Sequence, residues 1–87
     1  MEIIIKIATG HYERLRSRIP GESPAHQALE RATRIDYSVD GVLFEGYSVS
    51  CDDTQAGLIR EAAERYCPVA VLEIDKAIRH ARDRGAL

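Results

Sequence analysis

The chain predicts an α+β protein, a two-layer sandwich with helices on the apolar face of a three-stranded sheet. Three observations point there. An alternating apolar run opens the chain, an Asp40-Gly41 dipeptide separates two further apolar runs, and the remaining apolar residues recur at helical spacing.

Residues 2–8 read as a strand. Ile3, Ile5 and Ile7 share one face, and Ile4 sits on the other between Glu2 and Lys6. Residues 11–18 form a short charged helix with Tyr12, Leu15 and Ile19 at helical spacing, and Thr9 or Gly10 is its expected cap. Pro20-Gly21 ends it. Ser23-Pro24 restarts a helix, with Ser as N-cap and Pro at the first helical position. Its predicted stripe is Ala25, Ala28, Leu29, Ala32 and Ile35.

Asp40-Gly41, flanked by Tyr37, Val39, Val42 and Phe44, predicts a hairpin with a two-residue turn. Val39 then faces Val42, and Tyr37 faces Phe44. The apolar phase changes within the second strand: Val42 and Phe44 have one parity, Tyr47, Val49 and Cys51 the other. A bulge at Gly46 would return all of them to one face. Asp52 with Gln55 resembles a capping box and opens a helix to about Tyr66, with Ile59, Ala62, Ala63 and Tyr66 inward.

Residues 69–74 are rich in β-branched side chains and are compatible with a fourth strand. Helical spacing fits better from Pro68 to about Arg84. Ala70, Val71, Ile74, Ala77, Ile78 and Ala81 fall within a sector of about 120°. The expected order is β-α-α-β-β-α-α. The alternative, with residues 69–74 as a strand, is ferredoxin-like β-α-β-β-α-β plus a C-terminal helix.

With 87 residues the chain is expected to be a single α+β domain, residues 1–87. Its 45% apolar and 30% charged content is globular rather than disordered. The absence of a long apolar run and of a signal-peptide pattern predicts a cytoplasmic protein with no membrane contact. Cys51 and Cys67 are expected to be free thiols, at opposite ends of one helix.

Catalytic motifs are not found. Ser17, Ser23, Ser38, Ser48 and Ser50, and His11, His26 and His80, lie in no nucleophile pattern. The two cysteines have no histidine nearby and lack zinc-site spacing. The glycines match no phosphate loop. No enzyme activity, cofactor or metal is therefore expected. Cys51, just before a helix N-terminus, is the better-placed cysteine for redox chemistry, which would need a low thiol pKa and exposure.

The β-α-α-β-β-α order over residues 2–66 is similar to that of KH domains, whose G-x-x-G loop clamps the nucleotide backbone. The corresponding loop here is Pro20-Gly21-Glu22-Ser23, with one glycine of the two and an acidic residue within it. Cys67-Pro68-Val69 after Glu64-Arg65-Tyr66 resembles a stretch near the C-terminus of OsmC-type peroxide reductases. Those enzymes place a second reactive cysteine far upstream on another helix, a position that is not Cys in this chain.

What remains is surface. The net charge of −2 is uneven: residues 1–34 sum to +2, residues 35–53 to −5 and residues 54–87 to +1. Asp36, Asp40, Glu45, Asp52 and Asp53 form the acidic stretch, a candidate surface for a basic partner or a nucleic-acid mimic. In the last helix Val69 and Leu72 point away from the core stripe and are a candidate partner or dimer surface. The expected function is a non-enzymatic protein-protein interaction module, of the kind small phage- or mobile-element-type inhibitors and regulators represent. A protein partner or a homodimer is expected. The alternative is a nucleic-acid-binding domain using Arg14, Arg16 and Arg18 beside the Pro20–Ser23 loop.

Overall fold

A computed structural model describes residues 1–85. The elements are β1 (Glu2–Ile5), α1 (Thr9–Arg18), α2 (Pro24–Glu30), β2 (Thr33–Val39), β3 (Val42–Ser50), α3 (Asp53–Tyr66), a 3₁₀ turn (Pro68–Ala70) and α4 (Val71–Gly85). The sheet is antiparallel in the order β1-β3-β2. The predicted α+β architecture and element order hold. The segment 69–74 is helical, so the ferredoxin-like alternative is not realised.

β1 is shorter than the predicted 2–8. Its pairing ends at Ile5↔Tyr47, and the chain then turns into α1. Ile3 and Ile5 are buried, and Ile7 stays in the core beyond the strand. Neither Thr9 nor Gly10 caps α1. The N-cap is Ala8, whose side chain has nothing to offer. The acceptor for the first N–H comes instead from Glu45 on β3.

Ser23 caps α2 as predicted, its hydroxyl accepting from Ala25 N–H at 3.3 Å. The helix stops at Glu30 rather than running on to Ile35, which lies in β2. Ala32 and Ile35 fit a helical stripe and a strand equally well. The pull of the hairpin decides, since every residue of β2 pairs with β3.

The turn forms where predicted. Asp40 has φ 52° and Gly41 φ 80°, the left-handed values that such a two-residue turn demands. The Val39↔Val42 and Tyr37↔Phe44 pairs follow. The bulge at Gly46 does not form: pairing is continuous from Val39↔Val42 to Thr33↔Ser48, with Gly46 opposite Ile35. The phase change has another cause. Tyr47 and Val49 face the helices, whereas Phe44 faces the opposite side of the sheet, stacked on Tyr37 with centroids 5.5 Å apart.

Asp52 and Gln55 make a complete capping box at α3, with bonds of 2.7 and 2.9 Å. Pro68 does not start α4 directly but opens the 3₁₀ turn. The core joins Ile3, Ile5 and Val49 of the sheet to Tyr12, Leu15, Leu29, Ile59 and Ile74 of the helices. Tyr12 stacks on Tyr47 with centroids 3.7 Å apart, and its hydroxyl donates to the Leu29 carbonyl. α4 runs beside β1, where Arg84 donates to the Glu2 carbonyl at 3.0 Å. Arg60 of α3 ties the last two helices together through Asp75 at 2.7 Å. No described helix is long and apolar enough to cross a membrane.

Candidate interaction surface

The candidate acidic residues do not converge. Glu45 accepts from the Thr9 N–H at 2.7 Å and its hydroxyl at 3.1 Å. These bonds, with Arg34 as a smaller contributor, hold the Glu45 carboxyl below its ordinary pKa. Asp36 stands directly opposite Glu45 in the strand register, and Arg34 bridges the two at 3.7 and 3.2 Å. Asp40 serves the turn, Asp52 caps α3, and Asp53 lies 3.9 Å from Arg82. Four of the five carboxylates therefore have local structural partners.

The candidate arginines divide by helix face. Arg16 pairs with Glu13. Arg14 and Arg18 are exposed, and among the described residues neither has a carboxylate within ion-pair distance. Val69, which lies in the 3₁₀ turn rather than in the last helix, and Leu72 of α4 are 67% and 63% exposed.

The largest apolar exposure lies elsewhere. Beyond Glu45 the hairpin extends past the helices, and its end carries Val39, Val42, Leu43 and Phe44 in solvent. Leu43 is 78% exposed and Phe44 44%. By the period-2 rule Val39, Val42, Tyr37 and Phe44 share the face turned away from the helices, and Leu43 takes the other. Gly46 floors this face: a Cβ there would lie 3.3 Å from Tyr37 Cε1 and 3.4 Å from Ile35 Cγ1. The sequence places Val42 and Phe44 on the single apolar face that a bulge at Gly46 would give. The phase change at Gly46 is the signal that they do not lie there.

A groove of about 480 Å³ continues the face toward α4, over Ile4 and Lys6 and past Lys76 and His80. Lys6 lies 5.2 Å from the Tyr37 ring centroid. Comparison with family models, curated proteins and solved structures finds no match for this chain.

The thiols are enclosed. Cys51 is 6% exposed and Cys67 2%. Burial pushes the Cys51 thiol above its ordinary pKa, the reverse of the shift that makes a cysteine nucleophilic. Among the described residues no group of three His, Cys, Asp or Glu side chains is disposed to hold a metal ion.

Proposed function

We propose that this chain is a non-enzymatic protein-interaction module whose contact surface is the apolar end of the β2–β3 hairpin. The observation that carries the reading is the exposure of Val39, Val42, Leu43 and Phe44 together on one projecting element. Single exposed aliphatics are ordinary, but Val39, Val42 and Phe44 on one face with Leu43 on the reverse make the hairpin end apolar on both sides, the mark of a binding surface. Val69 and Leu72 offer a second, smaller patch. Such a module regulates or inhibits by occupying a surface of the protein it binds. The contact takes its strength from apolar burial, worth about 25 cal/mol per Å².

The test is a pull-down with the tagged chain, with and without nuclease, comparing wild type with Leu43→Asp. The reading expects a discrete protein that survives nuclease and is lost with Leu43→Asp. It is overturned if nucleic acid is recovered and the bound proteins disappear on nuclease treatment. That outcome would favour the nucleic-acid reading. It draws on Arg14 and Arg18, which have no ion-pair partner among the described residues, and on the groove lined by Lys6, Lys76 and Arg79.

A further inference from the structure

We propose that two copies of this chain pair through the free edge of β2, antiparallel and centred on Ile35, to give a homodimer with one continuous sheet.

β2 is an outer strand of the sheet, and β3 is the element it packs against. The other outer strand, β1, is flanked by α4. The two-residue turn at Asp40-Gly41 fixes which backbone groups of β2 face outward. The residues flanking such a turn, Val39 and Val42, bond to each other. Alternation then turns the N–H and C=O of Ile35 and Tyr37 toward β3, and those of Arg34, Asp36 and Ser38 to the open edge.

Natural edges are blunted by proline, bulges, short length or charges. β2 runs seven residues from Thr33 to Val39, with no proline and unbroken pairing. It does carry charges, Arg34 and Asp36, but they are opposite in sign and two residues apart. That arrangement is self-complementary. Pairing centred on Ile35 sets Arg34 against Asp36 of the second copy, and the two-fold axis repeats the pair. These are outward-bonding positions in both strands, so each pair can exchange both of its backbone hydrogen bonds. Ile35 meets its own copy. A slip to the next allowed register would set Asp36 against Asp36, which is repulsive.

The pairing also redistributes the charges at this edge, leaving two carboxylates to each arginine. Asp36 and Glu45 are directly opposed like charges with Arg34 shared between them. In the dimer each Arg34 stands between Asp36 of its own chain and Asp36 of the second copy, so each Asp36 has an arginine on both sides along the edge. The hairpin end remains exposed in the dimer, so the inference is independent of the contact proposed above.

Sedimentation of the full chain at tens of micromolar tests it. Wild type is expected at about twice the 9.7 kDa chain mass. Asp36→Arg places an arginine opposite Glu45 within the chain, which favours the fold, and opposite Arg34 of the second copy, which opposes pairing. Self-association should weaken on the order of tenfold or more, with an unchanged circular dichroism spectrum. Arg34→Asp should also remain monomeric, and mixing it with Asp36→Arg should restore the dimer, since each supplies what the other lacks. Monomeric wild type overturns the inference, as does an Asp36→Arg variant that dimerises as tightly as wild type. If Arg34→Asp fails to fold, those two measurements still decide it.

Discussion

Glu45 holds Thr9 at two points: its carboxylate accepts the Thr9 N–H at 2.7 Å and the Thr9 hydroxyl at 3.1 Å. The Tyr47 hydroxyl donates to the same threonine oxygen at 2.9 Å. A strand thus caps a helix from more than thirty residues away. The carboxylate sits where the helix N-terminus is electropositive, which favours its charge.

This contact gives Glu45 a stability role with a defined pH dependence. Its folded pKa lies below the ordinary 4.5. The contribution is therefore complete above that value and is lost as pH falls through the folded pKa. Glu45→Gln keeps an acceptor but removes the charge. It should unfold at a lower temperature than wild type at pH 7, and the gap should close in acid. Thermal melts followed by circular dichroism down to low pH check this. A gap independent of pH would mean that charge is not what Glu45 contributes.

Tyr12→Phe removes the hydroxyl that donates to the Leu29 carbonyl. That carbonyl keeps the Ala32 N–H at 3.3 Å, so the loss is one hydrogen bond, about 1 kcal/mol. Burial, the largest influence, raises the Tyr12 pKa above its ordinary 10.0. Folding therefore favours the protonated phenol, and the resulting stability is full below pH 10 and declines above it. Urea melts should show wild type losing stability through strongly alkaline pH more steeply than Tyr12→Phe. Parallel declines would show that Tyr12 is not the group responsible.

Much of this fold is legible in the sequence, and the failures share a physical cause. Asp40-Gly41 and the capping box of Asp52 and Gln55 are legible because local backbone geometry demands those residue types. Ser23-Pro24 is legible for the same reason. The end of α2, the cap of α1 and the missing bulge are not, because each is set by a distant contact. Glu45 gives no local sign that it will serve Thr9. Ile35 and Tyr37 cover Gly46 from the neighbouring strand, and no periodicity within β3 reveals that. Residues 35–53 are acidic along the chain but not in space, because Arg34 lies just before the segment and bridges two of its members, Asp36 and Glu45.

Gly46 carries a prediction of its own. Its φ is not in the left-handed range, so space rather than backbone strain limits substitution. A Cβ would already be 3.3 Å from Tyr37 Cε1. The branched carbons of valine would push Tyr37 off its stack with Phe44. Gly46→Val should cost roughly 1–3 kcal/mol and reduce the near-ultraviolet tyrosine signal. Wild-type stability with an unchanged aromatic spectrum would contradict this packing.

The buried thiols predict slow chemistry. In native protein neither Cys51 nor Cys67 should react with a disulfide reagent on the timescale at which a free thiol does, and both should react after denaturation. The Cys67 thiol faces the His11 carbonyl at 3.9 Å and is the less accessible of the two. Rapid labelling of Cys51 near neutral pH would reopen a redox role for it.

The last prediction separates the molecule's surfaces. Val69 and Leu72 lie where α4 begins, Leu43 lies at the hairpin end, and Asp36 lies on the β2 edge. Val69 and Leu72 are exposed, so Val69→Asp with Leu72→Glu should change stability by no more than about 0.5 kcal/mol. If the β2 edge joins two copies, this double variant keeps the wild-type sedimentation mass, and so does Leu43→Asp. Charge reversal at Asp36 or Arg34 is what lowers it. Val69 in the 3₁₀ turn and Leu72 in α4 present no extended strand edge, so they lack the register that β2 offers. Loss of the dimer in the Val69/Leu72 variant would instead place the two-fold axis at the start of α4.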